Sequence, residues 1–209
     1  MTDAFEDLND LLVEIGKCNG YLDILGAHQA LINIERTHEI KMSDLLKVLL
    51  TTNGSMTQAL QSIQTSPTDL IKARMLNQVV LGMSNDPVDD QIFESISIPK
   101  NSAFIYRKVV LCVNDQNLVL AISLIPLCKL SKDFQEELMY GDKPIGFLLE
   151  KYQLEVLRKI AVIDAITTTK KFQTIFPINT GDKIPYRIYD IIYKEDLIMK
   201  IMEFFNPVL

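Results

Sequence analysis

The 209-residue sequence predicts an α+β fold in which an antiparallel β-sheet is flanked by helices. Segments with helical spacing occupy the first third of the chain, and segments with strand alternation dominate after about residue 70. Short polar turns at 114–117 and 194–196 join two pairs of these strands, which is typical of antiparallel hairpins. Hydrophobic residues make up 48 % of the sequence, enough for a core, so we expect one domain with an extension.

The helical part contains three predicted helices. Apolar residues at positions 5, 8, 12 and 15 predict the first of them. A second helix is expected at 42–50, with Ser43 as a possible N-cap. Ser55 and Gln58 have the spacing of a capping box, so a third helix should begin there and continue to about Ile63.

The later part alternates between strands and short helices. Strands are predicted at 70–81, 104–113, 118–125, 152–162, 188–193 and 197–205. Short helices are predicted at 132–139, after a possible cap at Ser131, and at 145–150. The stretch 88–99 is interpreted as a loop.

Three predicted strands carry one charged residue each on an otherwise apolar face: Arg107, Arg158 and Glu203. A buried charge needs a partner, so these side chains should pair with each other or bind a ligand. Two cations and one anion would favour an anionic ligand. An interior ion pair between Arg107 and Glu203 is the structural alternative, and a one-residue register shift would turn Arg158 outward. Asp190 and Lys200 lie on the opposite faces of their strands and are expected to be solvated.

Several classes of function have no support in the sequence. The net charge is −6 and there is no basic run, which argues against nucleic-acid binding. No histidine or cysteine has metal-ligand spacing, and there is no phosphate-binding glycine motif. The longest apolar run is too short to span a membrane, and the acidic N-terminus lacks a signal peptide. These features predict a cytoplasmic protein with reduced cysteines and no membrane partner.

Five motifs in order resemble chorismate lyase, also called chorismate–pyruvate lyase or 4-hydroxybenzoate synthase, in its archaeal, mycobacterial and plastid-type branch. They are LLKVLLTTNGSMTQALQSI at 45–63, YRKVVLC at 106–112, SLIPL at 123–127, GDKPIG at 141–146 and MKIMEFF at 199–205. The resemblance covers about Lys41 to Phe205. It divides the chain into an N-terminal helical extension, 1–40, and a chorismate lyase-like domain, 41–209.

The resemblance implies a lyase that cleaves chorismate to 4-hydroxybenzoate and pyruvate in an enclosed apolar pocket, without a cofactor or metal. It places Arg107 on the ring carboxylate and Glu203 near the ring hydroxyl, either as a base or only as an orienting group. Met56 and Ile145 match positions that line the site. Arg158 is our own candidate for the second carboxylate, and the Ser123 segment offers a hydroxyl.

Two alternatives stay open at this point. The chain could be a non-catalytic module of the same fold that binds a small carboxylate effector, as in certain transcription regulators. It could also be a related lyase or hydrolase that acts on another small carboxylate, because a fold does not determine a function. The sequence makes no prediction of the oligomeric state.

Overall fold

The computed structural model describes residues 11–66, 68–86, 88–141 and 143–209. Of the predicted first helix, residues 11–15 are helical and the rest lies outside the described residues. The helices that follow are α1 (Ile24–His38), α2 (Asp44–Thr51), α3 (Met56–Ser62), α4 (Asp90–Ser95), α5 (Lys132–Met139), α6 (Ile145–Lys151) and α7 (Lys170–Gln173). The strands are β1 (Lys72–Leu81), β2 (Phe104–Val113), β3 (Gln116–Pro126), β4 (Leu157–Thr167), β5 (Lys183–Tyr193) and β6 (Asp196–Phe205).

The six strands form one antiparallel sheet in the order β1-β2-β3-β6-β5-β4. The two predicted hairpins, β2-β3 and β5-β6, lie side by side, because β3 pairs with β6. The α+β prediction is therefore confirmed. No helix in the described part of the chain is long and apolar enough to cross a membrane.

Both faces of the sheet are buried. The first face, which includes Ile105 and Ile201, packs against α1, α2, α3, α5 and α6. The second face, which includes Tyr106 and Met202, packs against Leu11, α4 and the segment around Phe176. Alternation along each strand thus supplies two separate hydrophobic clusters.

The predicted serine caps are present. The hydroxyl of Ser43 accepts a hydrogen bond from the Leu46 amide at 3.0 Å. Ser55 and Ser131 accept longer bonds from the amides three residues later. The side chain of Gln58 does not complete a capping box, because it donates to Glu150 on α6 at 3.2 Å.

The predicted strand at 152–162 is wrong in its first half. Helix α6 continues to Lys151, and Gln153 then adopts a φ of 52°, which ends the helix with a bond from the Leu154 amide to the Leu149 carbonyl. Strand β4 begins only at residue 157. A register shift between residues 160 and 162 then sends Ile160 to the first face and Val162 to the second.

Two further boundaries differ from prediction. The stretch 88–99 contains helix α4, whose first turn is capped by Asp89 through a 2.8 Å bond from the Gln91 amide. Strand β5 begins at Lys183, five residues earlier than predicted, and so includes Arg187.

Asp190 and Lys200 are buried, at 4 % and 6 % exposed, so the prediction that they are solvated is wrong. They form an ion pair with 2.5 Å between Lys200 Nζ and Asp190 Oδ1. The Tyr21 hydroxyl donates to Asp190 Oδ2 at 2.9 Å. Residues ahead of the sheet thus cover this face, which single-strand alternation cannot reveal.

Candidate functional site

A small cavity lies on the first face, over the middle of β2, β3, β6 and β5. Its roof is made by the first residues of α3 and α6, and its free volume is about 40 Å³. All six predicted site residues line it: Met56, Arg107, Ser123, Ile145, Arg158 and Glu203. Three of the six are charged, and they come from three different strands.

Arg107 is a buried cation that lacks a carboxylate partner among the described residues. Its side chain is 1 % exposed. Nη2 donates to the carbonyls of Gly141, at 3.1 Å, and Lys143, at 2.8 Å. Nε and Nη1 have no hydrogen-bond partner in the described chain. Burial lowers the pKa of Arg107 to about 10, so the guanidinium remains charged at neutral pH and is left to attract an anion into the cavity.

The floor of the cavity is formed by small side chains on β3. Ser123 lies opposite Arg107 in the sheet, and Ala121 lies opposite both Val109 and Glu203. Ser123 is 1 % exposed, and its hydroxyl has no hydrogen-bond partner among the described residues. These small residues leave space between the two charged strands, and the free hydroxyl offers a polar contact there.

Glu203 is neutralised by Arg187, a residue that sequence reasoning missed. Arg187 Nε donates to Glu203 Oε2 at 2.8 Å, and Nη2 makes an ion-pair contact of 2.8 Å with the same oxygen. The Tyr189 hydroxyl donates to Oε1 at 3.0 Å. Glu203 therefore takes part in an interior ion pair, as the structural alternative expected, but its partner is Arg187 and not Arg107. The alternation of Arg187, Tyr189 and Ile191 was the available signal, but the strand was expected to begin after Arg187.

Arg187 also connects the site to helix α2. Its Nη1 donates to the carbonyls of Leu49, at 2.9 Å, and Thr52, at 2.6 Å, which stabilises the C-terminal end of that helix. The guanidinium carbon lies 4.7 Å from the centre of the Tyr189 ring. Burial and the charge of Glu203 raise the pKa of Tyr189, so its hydroxyl keeps its proton.

Arg158 lies at the other side of the cavity, on β4, where it is opposite Ile191 in the register. Its side chain is partly buried and lines the cavity. It forms no ion pair or hydrogen bond with the described residues. It is thus a second cation that a ligand could engage.

The roof depends on a close approach of two helix starts. Met56 and Ile145 are the first residues of α3 and α6, and both are buried. A Cβ atom on Gly146 would come within 2.7 Å of Ser55 Oγ and 3.1 Å of Thr57 Oγ1. Glycine at this position therefore allows the roof to close.

Within the described part of the chain, no group of three or more His, Cys, Asp and Glu side chains is arranged to hold a metal ion. The chemistry available at the cavity is that of two cations, one paired carboxylate, a phenol and the hydroxyls of Ser55, Thr57 and Ser123.

Residues 50–209 match the model of the family described as Chorismate pyruvate-lyase Rv2949c-like. The chain belongs to this family. The Rv2949c-like match includes both hairpins, the roof helices and every residue that lines the cavity. A curated relative named "Putative lyase MJ0807", from Methanocaldococcus jannaschii, is 28 % identical over 164 residues, which cover 76 % of each chain.

Solved structures with the same fold are much more distant in sequence. The effector domain of PhnF from Mycobacterium smegmatis has a TM-score of 0.57 and 9 % identity, over 73 % of this chain and 88 % of that one. The gene product SA0254 from Staphylococcus aureus has a TM-score of 0.55 and 11 % identity, over 75 % and 89 %. At these identities the similarity concerns the fold, and it agrees with an antiparallel sheet flanked by helices.

Proposed function

We propose that the protein is a chorismate lyase, which converts chorismate to 4-hydroxybenzoate and pyruvate. The observation that carries the proposal is Arg107, a buried cation at the cavity with two nitrogens that have no hydrogen-bond partner among the described residues. A charge in that state is unfavourable unless a ligand supplies the anion. Membership of a chorismate pyruvate-lyase family makes a ring carboxylate the natural anion.

The reaction needs no external reagent. The bond between C3 and the enolpyruvyl oxygen breaks, the C4 hydrogen leaves as a proton, and the enolpyruvyl methylene gains a proton to give pyruvate. The ring becomes aromatic, and no oxidant, water or cofactor enters the balance. The protein must bind the reactive conformer and keep water away from it.

The cavity residues are assigned the following roles in this proposal. Arg107 binds the ring carboxylate through N–H groups that have no partner among the described residues. Glu203 meets the ring hydroxyl with Oε1, because Oε2 is occupied by Arg187. Arg158 and Ser123 are placed on the enolpyruvyl side, where Arg158 would bind the second carboxylate. Met56 and Ile145 cover the ring.

Glu203 has two possible roles in the proton transfer. It could accept the C4 proton, or it could hold the ring hydroxyl while the enolpyruvyl methylene takes that proton internally. Its contacts with Arg187 and Tyr189 fix its position in either case. The Gln and Ala variants discussed below separate the two roles.

Binding of the substrate should widen the cavity. Its volume of about 40 Å³ is enough for a few water molecules and less than a six-membered ring with two carboxylates needs. The starts of α3 and α6 are the elements whose separation would admit it.

We propose that residues 41–209 form the catalytic domain and that residues 1–40 are an N-terminal extension. We also propose that the enzyme is cytoplasmic.

A second candidate is a non-catalytic module that binds a small carboxylate. It is favoured by the fold shared with PhnF, whose solved fragment is an effector domain by name. Arg107 would bind the effector in the same way. Only turnover distinguishes this candidate from a lyase.

The deciding experiment incubates the purified protein with chorismate and follows pyruvate and 4-hydroxybenzoate together. The lyase is supported if both products form in equal amounts, with and without a metal chelator. Product formation should be lost in Arg107→Met. Tight binding of 4-hydroxybenzoate without release of pyruvate would instead support the effector module. Absence of both binding and turnover would contradict both candidates.

A further inference from the structure

Tyr189 occupies a defined place at the end of the cavity opposite Arg107. Register pairs Arg107 with Ser123, Ser123 with Ile201, and Ile201 with Tyr189, so all four residues lie in one row across the sheet. Adjacent strands are about 4.8 Å apart, so about 14 Å separates the backbones of Arg107 and Tyr189. Both side chains line the cavity, so the Arg107 guanidinium lies at one end and the Tyr189 phenol, with Arg158 on the neighbouring strand, at the other.

The phenolic end presents acceptors to a ligand. The Tyr189 hydroxyl gives its proton to Glu203 Oε1, and its oxygen retains the capacity to accept a bond. Glu203 Oε2 is turned towards Arg187, and Arg187 does not line the cavity. A ligand hydroxyl at this end consequently meets two acceptors, the Tyr189 oxygen and Glu203 Oε1, while Arg158 is the cation on that side of the cavity.

Resting on the proposed function, we propose that Tyr189 is a specificity-determining residue whose phenolic oxygen, with Glu203 Oε1, accepts the hydrogen bond of a ring hydroxyl. The ligand class is a six-membered ring that carries a carboxylate for Arg107 and a hydroxyl group opposite it. A ring without that hydroxyl, or with a methyl ether in its place, would leave buried acceptors unpaired and bind less well.

The competing interpretation gives Tyr189 a structural role only, as a clamp on Glu203. Tyr189→Phe would then change the affinity for all ring acids by the same factor, because the carboxylate end is intact. A role in specificity instead predicts a loss confined to ligands that carry the hydroxyl. The ratio of two affinities therefore separates the interpretations.

The experiment measures calorimetric binding of 4-hydroxybenzoate, benzoate and 4-methoxybenzoate to the full chain. The variants are Tyr189→Phe and the matched control Tyr193→Phe, which is on the same strand but outside the cavity. We expect the unmodified protein to prefer 4-hydroxybenzoate to both other acids. Tyr189→Phe should lose about three- to tenfold of its affinity for 4-hydroxybenzoate, the effect of one hydrogen bond, and should bind benzoate as before. Tyr193→Phe should change neither affinity.

Three results would overturn the proposal: an unchanged ratio in Tyr189→Phe, no preference for the hydroxyl in the unmodified protein, or no binding of any of the three acids. The second of these is readable even if Tyr189→Phe fails to fold. Binding selectivity is independent of pyruvate release. If the protein selects 4-hydroxybenzoate but does not convert chorismate, the proposed lyase activity is wrong. The proposed role of Tyr189 in ligand selection would still hold.

Discussion

Arg107 and Glu203 lie on the same face of the sheet with only strand β3 between their strands, yet they do not pair with each other. Glu203 is neutralised by Arg187, whereas Arg107 has no carboxylate partner among the described residues. One charge is compensated within the folded chain, and the other is the cation that we propose binds the ligand. Substitution of Arg107 should consequently weaken ligand binding without lowering stability, whereas substitution of Glu203 should lower stability.

Replacing Arg107 should abolish binding and preserve the fold. We expect Arg107→Met to weaken the binding of 4-hydroxybenzoate by about 2–5 kcal/mol, the loss typical of one partner in a buried charge pair. Its melting temperature should stay the same or rise, because an unpaired buried charge is removed. Arg107→Lys should also bind poorly, since an ammonium cannot replace a bidentate fork. Calorimetry and thermal unfolding of the same samples check this, and normal binding by either variant would remove Arg107 from the site.

Replacing Glu203 should destabilise the protein. Glu203→Gln leaves Arg187 buried without its anion and is expected to lower the free energy of unfolding by about 3–5 kcal/mol. The double variant Glu203→Gln with Arg187→Met should recover part of that loss, which a double-mutant cycle in denaturant would measure. A stable single variant would contradict the pairing.

Turnover in the same variants reports the role of Glu203 in the reaction. If it is the base, Glu203→Gln should lower the rate by roughly 10² or more per folded molecule. If it only holds the hydroxyl, Gln should keep most of the activity while Glu203→Ala loses it. Full activity in both variants would remove Glu203 from the reaction.

Ala121 sets the space available for a ring. Ala121→Val adds two methyl groups to the floor between Arg107 and Glu203. It should reduce the affinity of the folded protein for 4-hydroxybenzoate at least tenfold and lower the free energy of unfolding by about 1–3 kcal/mol. Ala121→Ser, which is nearly the same size, is the control and should bind normally. Equal affinity in Ala121→Val, measured by calorimetry, would place the ring elsewhere.

Gly146 permits the closed roof. Gly146→Ala should force Ser55 away from α6, loosen the start of α3 and speed ligand release, because the new Cβ would lie 2.7 Å from Ser55 Oγ. Removing that oxygen in the double variant Gly146→Ala with Ser55→Ala should restore slower release. Stopped-flow dissociation rates of 4-hydroxybenzoate test both variants; an unchanged rate in Gly146→Ala would show that the roof does not control exit.

Tyr21 should make stability fall in alkaline solution. Burial and its hydrogen bond to Asp190 raise the pKa of Tyr21 from 10.0 to about 12. Below pH 10 the Tyr21 hydroxyl keeps its proton in both the folded and the unfolded chain, and its hydrogen bond contributes fully to the free energy of unfolding. Between pH 10 and about 12 the unfolded chain loses the proton first, so the free energy of unfolding declines. Denaturant unfolding across this range should show a shallower decline for Tyr21→Phe, whereas the exposed control Tyr140→Phe should match the unmodified protein.

Alternation within single strands was enough to place Arg107 and Glu203 on a buried face, because both strands are regular there. Alternation was not enough to identify the residues that pair with the buried charges. Arg187 was missed because the strand was expected to begin at Ile188, whereas β5 begins at Lys183. Asp190 and Lys200 were misassigned because their burial depends on residues that are distant in the chain, among them Tyr21, which donates a hydrogen bond to Asp190.

Strand β3 carries both hydrophobic clusters on one backbone. Ala121 and Ser123 face the cavity, whereas Leu120, Ile122 and Leu124 belong to the opposite cluster. Substitutions at 121 and 123 can therefore change the shape and polarity of the cavity while 120, 122 and 124 keep the other side of the sheet packed. One strand thus separates two evolutionary pressures that would conflict if both acted on the same face.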